Sequence, residues 1–259
     1  MAMMTDPAPL LPQVIAIARE AGRATLPFYI PGADSTRKPD GSPVTAADHA
    51  AEAVILPALA ALTPDIPVIS EEAFARGQSP DLSAGPFWLV DPLDGTKEFL
   101  KRNGEFTVNI ALIDGGVPVL GVVDCPVTEE CFAGAAGRAI RRVPGAESPI
   151  RVRAVPAEGY TVLSSRSHAD NPALEQWLRD KPVAGRAVCG SSVKFCRIAA
   201  GQADLYPRFG PTMEWDTAAG HAVLLAAGGD VVTPDGRRLA YGKPGFVNPH
   251  FIAYGGRRP

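Results

Sequence analysis

Two aspartates, Asp91 and Asp94, stand close together in the run Trp88-Leu89-Val90-Asp91-Pro92-Leu93-Asp94-Gly95-Thr96-Lys97-Glu98-Phe99. Carboxylates gathered at a turn hold a hard cation, and the first N–H groups of a helix attract an anion such as phosphate. A cation and a phosphate sharing one turn is what metal-assisted phosphoester hydrolysis needs. Further acids occur where elements begin: Asp48 after Val44-Thr45, Glu71-Glu72 after Val68-Ile69-Ser70, and Asp216 in Glu214-Trp215-Asp216-Thr217. Each has an ordinary reading. Asp48 offsets a helix dipole, Glu71-Glu72 opens a solvated helix, and Asp216 caps one. Together Glu71, Asp91, Asp94 and Asp216 give carboxylates enough for about two or three Mg2+ ions with waters left in place. Such ions would polarise a phosphate oxygen, make water acidic and steady the leaving oxygen. Asp48, backed by Thr96, would orient or deprotonate that water. Zinc fits poorly, because none of His49, His168, His221 or His250 forms a ligand-spaced pair with another His or a Cys.

These residues need elements to hold them. Residues 87–90 read as a buried strand that breaks on Pro92, and residues 96–102 as a helix stopped by Asn103-Gly104. Upstream, residues 10–28 carry apolar side chains at helical period, and a polar loop at 32–43 contains the turn Lys38-Pro39-Asp40-Gly41. Thr45 is the expected N-cap of a second helix reaching about residue 62, and residues 67–70 form a short strand. Strands at 106–113, 117–123, 131–133 and 139–143 predict an antiparallel meander, covered on one face by the two early helices. A stretch rich in Pro, Gly and charge at 143–158 divides the chain into halves, 1–150 and 151–259. The second half alternates strands (161–163, 187–188, 203–206, 231–232, 251–254) with helices (172–179, 191–200, 216–227). In the last helix Ala218, Ala219 and Gly220 would allow close packing on the strand bearing Asp91.

With 259 residues, 46% apolar, 20% charged and a net charge of −3, the chain has the composition of a globular protein. That charge excludes a general surface for polymeric nucleic acid; a small anionic substrate needs local help from cations. The N-terminus lacks a secretory pattern, and apolar stretches such as 53–62 are too short to span a bilayer, leaving only peripheral membrane contact. Cys125, Cys131, Cys189 and Cys196 form no C-x-x-C pair, which predicts reduced thiols in a cytoplasmic protein. Nothing fixes the oligomeric state.

The motifs Val-Thr-x-x-Asp (44–48), Glu-Glu (71–72), Asp-Pro-Leu-Asp-Gly-Thr (91–96) and Trp-Asp-x-Ala-Ala-Gly (215–220) resemble the inositol monophosphatase superfamily of Mg2+-dependent, lithium-sensitive phosphatases. Lys97, the run 101–112, Ser165-Arg166-Ser167-His168, the run 190–196 and the run 206–212 are similar to its bacterial 3'(2'),5'-bisphosphate nucleotidase branch. The resemblance implies an α/β fold, a layered α-β-α-β-α sandwich whose first half is α+β, with the site between the halves. It implies hydrolysis of adenosine 3',5'-bisphosphate to AMP and phosphate, clearing a by-product of sulfate activation, with the sulfated nucleotide as a second substrate. Metals then fall to Glu71, Asp91, the Leu93 carbonyl, Asp94 and Asp216. The phosphate falls to Gly95 and Thr96, and the catalytic water to Asp48 and Thr96, with Glu71 also in the catalytic set. Glu72 receives no ligand role. Lys97, Ser192, Lys194 and Arg208 are the candidates for the rest of a bisphosphate nucleotide. Ser192 and Lys194 open a helix, and Arg208 follows a strand. The competing reading is an inositol or sugar phosphatase of the same fold, in which Lys194 is solvated and Arg208 only an ion-pair partner. A non-catalytic anion binder is disfavoured because all four acids are intact.

Overall fold

Apolar residues at helical spacing build the first layer in the computed structural model, which describes residues 6–31, 35–37, 43–82, 85–166 and 171–259. Helix α1 (Leu11–Thr25) buries Val14, Ile15, Ala18 and Ala21 along one face. Strands β1 (Ser35–Arg37) and β2 (Pro43–Thr45) pair antiparallel within the stretch expected to be loop. The turn expected at Lys38-Pro39-Asp40-Gly41, the first five residues and Ser167-His168 lie outside the described residues. Thr45 opens α2 (Ala46–Leu62) through a reciprocal capping box with Asp48.

Next come β3 (Val68–Ser70), α3 (Glu71–Ala75), β4 (Phe87–Asp94), α4 (Thr96–Lys101), β5 (Thr107–Asp114), β6 (Val117–Cys125), β7 (Glu130–Ala135), β8 (Arg138–Val143) and β9 (Ala146–Pro149). The strands form one seven-stranded sheet in chain order, parallel between β3 and β4 and antiparallel thereafter. The expected meander is therefore present. It gains β9 inside the stretch expected to be a connection, because that exposed strand pairs with β8 through its backbone and needs no apolar pattern.

The remaining elements are β10 (Tyr160–Ser164), α5 (Pro172–Leu178), β11 (Val183–Val188), α6 (Val193–Ala199), β12 (Leu205–Arg208), α7 (Ala218–Ala226), β13 (Asp230–Val232) and β14 (Phe251–Tyr254). A five-stranded sheet takes the order β11-β10-β12-β14-β13.

Burial of apolar faces stacks these elements in five layers. Helices α1 and α2 cover one face of the large sheet, with Ile55 and Leu59 meeting Trp88, Val90 and Ile110. Its other face, through Leu89, Ala111, Val123 and Phe132, packs on Phe195, Val223 and Leu224 of α6 and α7, which also meet Phe251 and Ala253 of the small sheet. Helix α5 covers the far side of that sheet with Leu174 and Leu178. This is the α-β-α-β-α sandwich.

Three local expectations change. Strand β4 does not break at Pro92 but continues to Asp94, with its register on β5 shifting between Asp91 and Asp94. Pro92 is tolerated because the irregularity leaves no ladder bond for it to donate. The last helix starts at Ala218 rather than Asp216. Its N-cap is Thr217, and the Asp216 carboxylate instead accepts the Met213 N–H at 2.8 Å. That helix packs mainly on β5, β6 and β7 rather than on β4. A Cβ at Gly121 of β6 would lie 2.3 Å from the Ala219 carbonyl oxygen, so glycine there sets how closely helix and sheet approach.

Candidate active site

The register shift in β4 lets the strand deliver two carboxylates at its end. Asp91 is buried, and one of its oxygens accepts the Leu93 N–H at 3.0 Å, which tightens the turn. Gly95 follows in the left-handed region at φ 96°, where a side chain is strained, and α4 starts immediately after it. The turn is anchored from behind by Leu93, Phe99 and Phe106, which share a buried cluster with Ala47 from the first turn of α2. The Phe99 and Phe106 rings meet edge-on at 5.0 Å. Asp48, 2% exposed, is thereby held beside the turn; its carboxylate accepts the Thr45 N–H at 2.8 Å and the Thr45 hydroxyl at 2.7 Å.

Glu71 is the first residue of α3, and α3 is pinned to the other half of the chain by Phe74, whose ring meets Trp215 at 5.4 Å. Trp215 precedes Asp216, so this aromatic contact brings two acids from distant parts of the sequence together. Carboxylate oxygens of Glu71, Asp91 and Asp216 all lie within 4.8 Å of one another. Asp94 is outside that trio. It is instead half-buried at the start of α6, where one of its oxygens accepts the Ser192 N–H at 2.6 Å.

Two of these acids, Asp216 and Asp94, hold their protons more tightly than a free carboxylate does. Burial, then the charges of Asp94 and Glu71, hold the Asp216 carboxyl well above its ordinary range. Burial also pushes Asp94 up to about 6, against the pull of the Lys194 charge and the Ser192 N–H. Like charges converging from three elements are the chemistry of a cation site, since a bound divalent ion offsets the repulsion that otherwise favours protons. All the oxygens are hard ligands, and the donor set fits a hard divalent metal.

Beside the trio opens a cavity of about 140 Å3, lined among others by Gly95, Ser191, Lys194, Tyr206, Arg208 and Asp216. Lys194 is 2% exposed and so is no solvated helix residue. Its ammonium donates to the carbonyls of Cys189 at 3.0 Å and Ser191 at 2.5 Å, and burial lowers its pKa. Arg208, at the end of β12 rather than beyond it, donates to the Ser165 hydroxyl at 2.8 Å and the Pro211 carbonyl at 3.0 Å. Both cations reach the cavity wall.

Two candidates are placed differently from expectation. Ser192 is buried with its hydroxyl donating to Asn109 at 2.7 Å, so its groups hold Asp94 and β5, while Ser191 takes the cavity wall. Ser191 reaches that position with φ 44°, an uncommon conformation for serine. Lys97 is exposed and does not line the cavity; the 100° step along a helix gives that face to Glu98 instead.

Other contributions to the wall carry no local signature. Glu105 accepts two bonds from Arg166, at 2.6 and 2.7 Å, and the Gly190 N–H at 2.9 Å, which ties together two residues that line the cavity. The Arg166 bonds hold the Glu105 carboxyl below its usual value. Glu98, Ser165 and Thr212 also line the cavity.

The sequence pattern of the inositol monophosphatase family matches residues 7–255. Among curated relatives, the 3'(2'),5'-bisphosphate nucleotidase CysQ of Escherichia coli (strain K12) is 50% identical over 245 residues, covering 93% of this chain and 98% of its own length. That of Salmonella typhimurium (strain LT2) is 51% identical over 249 residues, with the same two shares, 93% and 98%. Among solved structures, CysQ from Bacteroides thetaiotaomicron superposes with a TM-score of 0.78 at 37% identity, covering 95% of this chain and 97% of that one. Inositol monophosphatase from Anabaena reaches 0.76 at 28% identity over 96% and 91%. The chain belongs to the inositol monophosphatase family.

Proposed function

We propose that this enzyme is a 3'(2'),5'-bisphosphate nucleotidase, hydrolysing the 3'-phosphate of adenosine 3',5'-bisphosphate to give AMP and phosphate. The observation that carries the reading is the convergence of Glu71, Asp91 and Asp216 beside a cavity walled by Lys194, Arg208 and Arg166. Carboxylates facing cationic side chains suit a substrate with two phosphates: one at the acids, where a metal is needed, the other at the lysine and arginines. The relatives at about half identity are named for this activity.

Glu71, Asp91 and Asp216 would hold the metal, Mg2+ by the hardness of the oxygen set, with Asp94 and the Leu93 carbonyl completing the ligands. When bound, Mg2+ supplies Lewis-acid charge for the phosphoryl group and acidifies water. Asp48 and Thr96 orient the attacking water and take its proton. The Gly95 and Thr96 N–H groups at the start of α4 hold the phosphate so that attack is opposite the ester bond. As the new P–O bond forms, the bond to ribose O3' breaks, its electron pair stays on O3', and a proton restores the hydroxyl of AMP. Lys194 and Arg208 bind the second phosphate. The same site would accept the sulfated nucleotide, and the activity would clear a by-product of sulfate activation. No helix among the described residues is long and apolar enough to cross a membrane. Four free thiols suit a reducing, cytoplasmic setting, with any membrane contact peripheral.

The test is a substrate panel with Mg2+. Phosphate release from adenosine 3',5'-bisphosphate should exceed that from inositol 1-phosphate by at least roughly 10-fold, the worth of one charge-assisted contact to the second phosphate. Lithium should suppress it. Faster release from inositol 1-phosphate would contradict the reading and favour the sugar-phosphatase alternative.

A further inference from the structure

Glu98 lies on α4, four residues beyond Asp94 and two beyond Thr96. It is 8% exposed and lines the cavity. Among the described residues its carboxylate makes no hydrogen bond and no ion pair. Asp94, Lys194 and Arg166 are near enough to feel its charge.

A carboxylate that lines a cavity and has no donor from the protein is left to water there. A ligand that fills the cavity displaces that water and must supply a donor in its place, or the carboxylate is left unsatisfied. Phosphate cannot be the partner, since an anion facing a carboxylate is repelled. The ligand must therefore present a neutral O–H or N–H to Glu98. An adenosine 3',5'-bisphosphate has donors in two places, the free ribose hydroxyl beside the scissile ester and the amino group of the base. Glu98 follows Gly95 and Thr96, which receive the scissile phosphate, within one turn of the same helix. The hydroxyl one carbon from that phosphate is the donor within reach.

We propose that Glu98 accepts a hydrogen bond from the ribose hydroxyl vicinal to the scissile phosphate, and so selects ribonucleotides over deoxyribonucleotides. This rests on the nucleotidase reading above and adds the residue that recognises the sugar. It also suits both isomers: exchanging a 3'-phosphate for a 2'-phosphate leaves one vicinal hydroxyl in either case.

The experiment measures kcat/KM for adenosine 3',5'-bisphosphate and its 2'-deoxy counterpart in the wild type, Glu98→Ala and Glu98→Gln, with melting temperatures alongside. The wild type should prefer the ribonucleotide by roughly 10- to 100-fold, the worth of a hydrogen bond to a charged acceptor. In Glu98→Ala that ratio should collapse toward one, and Glu98→Gln, which keeps a carbonyl acceptor, should retain part of it. Melting temperatures should hold or rise, because no internal bond is lost. An unchanged ratio in Glu98→Ala overturns the proposal. So does an equal loss on both substrates with a lowered melting temperature, the mark of a structural role. A wild type that cleaves both nucleotides equally sinks this inference alone, whereas one that cleaves neither sinks the nucleotidase reading with it.

Discussion

Lys194 illustrates what a single buried charge does in this site. Its ammonium rests on two backbone carbonyls and 5.0 Å above the Tyr206 ring, all weak compensation for lost hydration. A phosphate entering the cavity would complete the pairing. Lys194→Ala should therefore raise KM for the bisphosphate by roughly 10- to 100-fold while affecting a simple phosphate monoester far less. Steady-state kinetics on both substrates check this, and an equal change on both would remove Lys194 from substrate recognition. Glu71, Asp91 and Asp216 were legible only as a set, since each alone has an ordinary local reading, and Lys194 only through the motif that contains it. Glu105 was not. Its partners Gly190 and Arg166 are 85 and 61 residues away, so no local spacing announces the clamp. Glu98 was hidden for another reason: a helix start tolerates any acid, and only the cavity shows that its face is turned inward.

At the scale of elements, the segment from Thr212 to Thr217 matters most, because it places Asp216 without being a helix or strand. It is held by Asn248, whose amide donates to the Met213 carbonyl at 2.7 Å and the Thr217 hydroxyl at 3.0 Å. Glu214, fully buried, accepts the N–H groups of Gly242 at 2.7 Å and Lys243 at 2.9 Å and pairs with the Lys243 ammonium at 2.6 Å. Asn248→Ala should cost about 1–3 kcal/mol in denaturant unfolding, the price of stranding buried polar groups, and should weaken Mg2+ binding. Unchanged Mg2+ affinity would show that Asp216 is positioned without this network. Helical periodicity gave α1, overrunning its end by the three residues of a short 3-10 turn, and the Thr45 cap gave α2. Pro92 misled for β4, because a proline is compatible with a strand at the irregular step where two ligands must emerge. Asp216 misled for α7, because capping and metal binding ask for the same side chain.

For the whole molecule, the layers follow from which faces are apolar, and the seam between the two sheets is where acids from β4, α3 and the approach to α7 meet. Asp124 is among the acids buried away from that seam. Asp124 on β6 faces Arg19 and Arg23 of α1 and receives the Cys131 thiol, yet burial pushes it up to about 7. The folded protein then keeps a proton on Asp124 that the unfolded chain releases near pH 4, so this contribution to stability is full below pH 4 and lost as pH rises through about 7. Asp124→Asn should remove that slope and stabilise the protein at pH 8 by up to ~4 kcal/mol. Melting temperatures at pH 5 and pH 8 check it; a variant no more stable than the wild type at pH 8 would contradict it.

The central claim is that acids meeting at the seam make a cation site that cleaves a nucleotide 3'-phosphate. The most direct measurement follows AMP and phosphate released from adenosine 3',5'-bisphosphate, first with Mg2+, then after chelation, then with Mg2+ restored, in the wild type and Asp91→Asn. The account predicts one AMP per phosphate, loss on chelation, recovery on restoration, and at least roughly 100-fold slower release in Asp91→Asn, as expected when charge stabilisation of the transition state is removed. Undiminished release without divalent cations, or a fully active Asp91→Asn, would contradict it.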